Sequence, residues 1–141
     1  SVKIRLVLAC LFGLLSVFIE AQELPPIQVF TAEDYKAENQ NWSISQANDE
    51  TIYIANNDGL LEYNGARWQL YPSPNGSIMR SVKVVDDRIY SGYYMEFGYW
   101  QRDSVGNMSY TSLSDNTEVN LIEDEQFWSI VEFDDWIYFD L

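Results

Sequence analysis

From residue 42 onward, apolar residues fall into short runs that polar turn residues separate. Four such runs make up a first unit, and they are Trp42–Gln46, Ile52–Ala55, Leu60–Tyr63 and Ala66–Leu70. The second run lacks alternating polar residues, which is typical of a strand covered on both faces. Asn64-Gly65 stands between the third and fourth runs and predicts a hairpin in which both turn residues have positive φ. The pattern predicts an antiparallel four-stranded unit.

The same arrangement recurs along the chain. A second unit has runs at Ile78–Val85, Arg88–Tyr93, Phe97–Gln101 and Met108–Ser112, and a third shows only its first part, from Trp128 to Phe139. Serines 43, 81 and 129 hold the same place in the three units, so the repeat is about 40 to 50 residues long, which is typical of β-propeller blades. Asp86-Asp87 and Asp134-Asp135 also hold one place in the repeat and are interpreted as turn residues.

The repeat predicts an all-β fold and, within that class, a β-propeller. The predicted four-stranded blades span about 42–71, 78–112 and 127–141, with the last one incomplete, and the whole ring would have about seven. No segment shows a sustained helical period, which argues against an α/β fold. We therefore expect the chain to be an N-terminal fragment of the propeller. Because about two and a half blades leave strand edges and apolar faces in water, we expect this fragment to fold poorly alone.

Residues 1–21 differ in character from the rest of the chain. Two basic residues precede an apolar stretch, Leu6–Ile19, and a small residue, Ala21, follows it. This order is typical of a cleaved secretory signal, so we expect export. The alternative, an uncleaved membrane anchor, needs about 20 apolar residues, and the stretch is shorter. Residues 22–41 form a polar lead-in that is predicted to run extended over the surface.

Composition excludes several classes of function. The chain has no histidine, which removes the histidine-dependent serine and cysteine nucleophiles and all histidine metal sites. The only cysteine, Cys10, lies in the apolar stretch of the signal, where lipid attachment is disfavoured because the stretch continues well beyond it. A net charge of −14 opposes the clustered positive charge that phosphate binding needs. We therefore predict no nucleic-acid binding by this segment.

Two acidic stretches could be taken for cation sites. Asn56–Gly59 resembles the middle of a calcium loop, but Ile54 stands where such a loop needs aspartate, so a hairpin turn is the better interpretation. Glu123–Glu125 could hold a cation or act on a glycosidic bond, but adjacent loop carboxylates are more often a solvated connection. We predict no metal, no cofactor and no catalytic residue in this segment.

The candidate ligand-binding residues are Trp42, Arg80 and Trp128, which occupy one repeat phase, just before the three aligned serines. If the first strand of each blade is innermost, these side chains approach a central opening from successive blades. Aromatic faces and a guanidinium suit sugar rings or an acidic polymer. The alternative is packing between blades for the two tryptophans and a salt bridge for Arg80.

The stretch Trp42–Trp68 resembles the two-component regulator propeller repeat. The resemblance is carried by Ile-Tyr-Ile-Ala at 52–55, by Asn-Asp-Gly-Leu-Leu-Glu-Tyr-Asn-Gly at 57–65, and by the closing tryptophan. The second unit departs from this pattern at Tyr93–Gly98. Together with Leu70–Asn75, the sequence of this stretch is similar to that of exported sensors of Bacteroidetes-type bacteria.

The resemblance implies a modular membrane-bound regulator. Such proteins carry a signal peptide, a propeller, a tyrosine-motif sandwich domain, a transmembrane helix and a cytoplasmic LuxR-type or histidine-kinase output. It implies that this segment is non-catalytic and periplasmic, that it senses an extracytoplasmic ligand such as a glycan, and that the full-length protein is an inner-membrane homodimer. DNA binding or kinase activity would come only from a C-terminal region. The alternatives are a secreted propeller lyase or glycosidase and a passive carbohydrate- or protein-binding module.

Overall fold

The computed structural model describes residues 1–15, 24–116, 118 and 120–141. The strands are β1 (Asn41–Gln46), β2 (Ile52–Asn56), β3 (Gly59–Tyr63), β4 (Trp68–Pro72), β5 (Ser81–Val85), β6 (Arg88–Gly92), β7 (Phe97–Arg102), β8 (Met108–Ser112), β9 (Ser129–Phe133) and β10 (Trp136–Asp140). They form three antiparallel sheets: β1-β2-β3-β4 is the first sheet, β5-β6-β7-β8 the second, and the pair β9-β10 the third. The predicted all-β class is confirmed.

Helix α1 (Val2–Leu15) lies in the predicted signal region. The stretch has no polar face, but leucine and alanine favour a helix whatever their periodicity. Its described side chains, up to Leu11, are exposed. The predicted cleavage point at Ala21 lies outside the described residues. Among the helices of the described residues, none has the length and apolar character that a bilayer crossing demands.

The lead-in is not extended throughout, so that prediction was wrong in part. A one-turn helix, α2 (Ala32–Tyr35), begins after Thr31, whose backbone N–H donates to Asp34 Oδ2 at 2.6 Å. This is half of a capping box, and the hydrogen bonds from Thr31 lower the pKa of Asp34. Tyr35 then packs on Trp68 of the edge strand β4, with ring centroids 5.5 Å apart. The lead-in thus covers the outer edge of the first sheet.

The loop between β3 and β4 also differs from its prediction. Tyr63 pairs with Trp68, which leaves a four-residue loop rather than a two-residue hairpin. Only Gly65 has a positive φ, of 92°, and Asn64 does not. The Asn64 Oδ1 atom accepts hydrogen bonds from the backbone N–H groups of Ala66 (3.0 Å) and Arg67 (2.9 Å). The asparagine side chain therefore shapes the turn in place of a left-handed backbone.

Other turns follow their predictions. Asp86 has a φ of 54° in the β5–β6 turn, and Asp134 and Asp135 have φ of 51° and 66° in the β9–β10 turn, so both pairs are turn residues as predicted. The turn between β7 and β8 is held by Asp103, whose Oδ1 accepts a hydrogen bond from the Asn107 backbone N–H at 2.8 Å. That hydrogen bond is the main cause that lowers the pKa of Asp103.

The three sheets pack through their first strands, with β5 next to β1 and β9 next to β5. Side-chain hydroxyls connect these strands. Ser45 Oγ accepts a hydrogen bond from Val84 N at 2.9 Å, and the buried Ser81 Oγ donates to the Phe127 carbonyl oxygen at 2.7 Å. Gly92 lies beside this second contact, since a Cβ there would be 2.7 Å from Phe127 Cβ. Hydroxyl groups of first-strand serines thus connect each sheet to its neighbour.

The main core lies between the first and second sheets. Its buried members are Tyr53, Ala55, Leu60, Met79, Val82, Ile89, Tyr93 and Trp100. An ion pair also joins these two sheets: Arg102 Nη2 lies 2.6 Å from Glu62 Oε1, and it donates to Tyr71 Oη at 3.2 Å. Because Glu62 is buried in the otherwise apolar strand β3, it needs this partner.

The third sheet is covered on one side only. Phe139 packs on Phe97 and Phe127 of its neighbours, with ring centroids 4.6 and 6.2 Å away. By contrast, Phe133 and Trp136 are 69% and 68% exposed. Strand β10 is also an unpaired edge in the described structure. The third sheet thus presents an open apolar face and an open edge.

Candidate ligand-binding site

The three predicted ligand-binding residues lie where the first strands of the sheets begin. Trp42 is in β1, Arg80 immediately precedes β5, and Trp128 immediately precedes β9. Because β1, β5 and β9 are neighbours, residues of one repeat phase come together. The structure thus assembles one cluster, here named the Trp–Arg–Trp cluster, from residues far apart in the sequence.

The guanidinium of Arg80 occupies the corner between two indole rings. Its Cζ lies 4.2 Å from the ring centroid of Trp42 and 4.6 Å from that of Trp128. The two rings are nearly perpendicular, at 74°, with centroids 6.0 Å apart. Both distances to Arg80 are within the range of a cation–π interaction. Trp42 and Trp128 are 42% and 47% exposed, so each also presents surface to solvent.

Hydrogen bonds hold two members of the cluster, Arg80 and Trp42, in place. Arg80 Nε donates to Gln126 Oε1 at 2.8 Å, and the Arg80 backbone N–H donates to the Gly92 carbonyl oxygen at 2.8 Å. The Trp42 indole N–H donates to Asn57 Oδ1, also at 2.8 Å. The guanidinium and one indole are therefore fixed before any ligand arrives, which reduces the entropy lost on binding.

The salt bridge considered as the alternative for Arg80 is not found. Within the described residues, the only ion pair is Arg102–Glu62, which lies elsewhere between the first two sheets. The packing between units that was considered for the tryptophans is found. Trp42 and Trp128 pack against the guanidinium of Arg80 and against each other. That a ligand binds at the cluster stays a prediction, now with a defined geometry.

Sequence reasoning missed two members of the site, Gln126 and Asn57. Gln126 lies two residues before Trp128, a place that Gln40 holds before Trp42, but Ile78 stands there in the second unit, so the periodic signal is incomplete. Asn57 belongs to the Asn-Asp-Gly turn of the first unit, which the second unit lacks. Gln126 is placed by a β-bridge to Tyr94, whose hydroxyl donates to Asp124 Oδ1 at 2.9 Å. The loop that carries Glu123–Glu125 is exposed at Asp124, as expected of a solvated segment, but the bridge to Tyr94 also attaches it to the second sheet.

A second cleft, of about 320 Å³, lies between the β1–β2 and β5–β6 turns. Its walls include Asp49, Asp86 and Asp87, together with Tyr53 and Arg102. A backbone hydrogen bond from Thr51 is the main cause that lowers the pKa of Asp49. Burial, followed by the charge of Glu62, raises the pKa of Tyr53. The three aspartates are turn residues, and the described residues contain no His, Cys, Asp or Glu grouping suited to a metal ion.

Comparisons of the chain with protein-family models, with curated proteins and with solved structures gave no match. The likeness of Trp42–Trp68 to the two-component regulator propeller repeat therefore stays a prediction. Function must be inferred from the geometry of the Trp–Arg–Trp cluster and from the arrangement of the sheets.

Proposed function

We propose that residues 42–141 belong to a β-propeller of the two-component regulator type, and that this propeller is the extracytoplasmic ligand-sensing part of a membrane-bound transcriptional regulator. Support for the propeller comes from the strand order. Each four-stranded sheet is a meander of consecutive antiparallel strands, and the first strand of each sheet lies beside the first strand of the next. Propeller blades have this organisation.

The single observation that carries the sensing function is the Trp–Arg–Trp cluster. It draws one side chain from the start of each of three successive sheets, and it is partly exposed. A ligand that contacts all three residues has an affinity that depends on how the sheets are placed relative to each other. Binding then shifts any equilibrium between two arrangements by its difference in affinity for them. This is the property that a sensor needs and a passive binding module does not.

The proposal is tested in cells that carry the full-length gene. Protease accessibility in intact and in outer-membrane-permeabilised cells locates the segment, and transcript profiles compare wild type, a deletion, and the variants Arg80→Met and Arg88→Met. Arg88 is a matched control because its Cζ also lies over an aromatic ring, that of Tyr99, at 4.2 Å. We expect periplasmic exposure, altered transcription in the deletion, and the same alteration for Arg80→Met but not for Arg88→Met.

Two results would overturn the sensing proposal. One is a segment that stays protected from protease after the outer membrane is permeabilised. The other is a deletion strain whose transcript profile equals that of the wild type, which would favour a secreted enzyme or a passive binding module instead.

A further inference from the structure

The terminal nitrogens of Arg80 are the unsatisfied groups of the Trp–Arg–Trp cluster. A guanidinium has five N–H donors, and here Nε is the one that donates to Gln126. The two terminal nitrogens make no hydrogen bond to the described residues. Because the rings of Trp42 and Trp128 lie against the guanidinium and Nε is engaged, the terminal nitrogens are the donors left for a ligand. Such a pair of donor nitrogens matches the two oxygens of a carboxylate or a sulfate.

Arg80 keeps its positive charge unpaired in an acidic chain. The sequence has 22 acidic residues against 8 basic ones. Arg102 is paired with a carboxylate, that of Glu62, and Arg80 has no such partner among the described residues. Arg80 is instead held by two neutral rings and a neutral amide. The site therefore keeps a full positive charge available to a ligand.

The two indoles indicate which kind of ligand would carry the negative charge that pairs with Arg80. Each is about half exposed and presents a flat apolar surface next to the guanidinium. Flat aromatic surfaces beside polar groups suit the C–H faces of a sugar ring. The side-chain amides of Asn57 and Gln126 adjoin the rings and the guanidinium, where they can hydrogen-bond to hydroxyl groups.

We propose that the ligand of the Trp–Arg–Trp cluster is an anionic glycan, with a carboxylate or sulfate of one sugar on the terminal nitrogens of Arg80 and sugar rings against Trp42 and Trp128. The inference rests on the proposed sensing function and names its ligand class. An uncharged glycan would leave the Arg80 donors unpaired, and an acidic peptide would make little use of the indole surfaces.

The test is calorimetric titration of the full-length protein with three galactose-based oligosaccharides of equal length: one of galacturonate, one sulfated and one neutral. We expect at least one anionic oligosaccharide to bind roughly tenfold or more tightly than the neutral one, because the extra free energy of a charge-assisted hydrogen bond over a neutral one corresponds to about tenfold in affinity. Arg80→Met should abolish this preference, whereas Arg88→Met should keep it. Thermal unfolding of both variants checks that the fold is intact.

The outcomes separate this inference from the sensing function. Preference for the galacturonate or for the sulfated oligosaccharide supports the inference and identifies which oxyanion is bound. Equal affinity for the neutral oligosaccharide, or no binding of any of the three, overturns the anionic-glycan inference. If Arg80→Met still alters transcription in those cases, sensing stands with another ligand. If Arg80→Met neither binds differently nor alters transcription, both proposals fail.

Discussion

The ion pair between Glu62 and Arg102 offers the clearest test of how the first and second sheets are held together. Glu62 lies in β3 with a side chain only 10% exposed, whereas the Arg102 side chain is 41% exposed. Replacement of Arg102 by methionine preserves much of the apolar stem and removes the charge. It leaves a buried carboxylate with no cationic partner among the described residues.

The expected cost lies between two known limits. Exposed ion pairs contribute at most about 1 kcal/mol. Removal of one partner from a fully buried pair costs about 3–5 kcal/mol. Because one partner is buried and the other is partly solvated, we expect Arg102→Met to lower the free energy of unfolding by about 2 kcal/mol. Glu62→Gln keeps a polar group within reach of Arg102 and should cost about 1 kcal/mol.

The assay is urea unfolding followed by tryptophan fluorescence for the wild type, both single variants and the double variant. The double variant should be more stable than the sum of the single changes implies, with a coupling energy of about 1 kcal/mol. Arg88→Met serves as the control and should lower stability by no more than about 1 kcal/mol, since Arg88 has a cation–π contact with Tyr99 but no ion pair in the described structure. Additive effects, or an Arg102→Met variant as stable as the control, would refute the reasoning.

Three further changes test other parts of the fold. Gly92→Ala should destabilise by about 3 kcal/mol or prevent folding, because its methyl group would lie 2.7 Å from Phe127 Cβ; a normal urea midpoint would contradict this. Asp103 has a lowered pKa, so it stabilises the fold above its unfolded pKa of about 3.9, and this contribution is lost as pH falls through its folded pKa. Asp103→Asn should therefore weaken the fall of the urea midpoint below about pH 4. Trp68→Phe should cost less than about 1 kcal/mol, because the buried indole N–H of Trp68 has no acceptor among the described residues. Trp100→Phe loses a buried hydrogen bond and should cost about 2 kcal/mol, so equal losses would count against this account.

The sequence predicted the strands well because their signals are local. Ile52–Ala55 and Leu60–Tyr63 are apolar and flank an Asn-Asp turn, and each forms a strand with the expected antiparallel partner. The Trp–Arg–Trp cluster was also predictable as a group, because Trp42, Arg80 and Trp128 share one phase of a repeat. Repetition turns a long-range contact into a periodic pattern, which a single sequence can reveal.

What the sequence could not predict depends on single side chains acting on nearby backbone. The Asn64 amide shapes a four-residue loop where a tight hairpin was expected, and Thr31 with Asp34 begins a helix in a segment expected to be extended. Gln126 reaches Arg80 because the loop that carries Glu123–Glu125 forms a β-bridge from Gln126 to Tyr94. None of these contacts recurs in the repeat, so no pattern indicates them.

The open face of the third sheet has a consequence for the colloidal behaviour of the protein. Phe133 and Trp136 offer an apolar surface, and the adjacent edge strand β10 offers unpaired backbone groups, which favours contact between molecules. The net charge of −14 opposes such contact by mutual repulsion. Since added salt shortens the range of that repulsion but leaves apolar attraction in place, the described chain should stay dispersed in dilute buffer and self-associate as ionic strength rises.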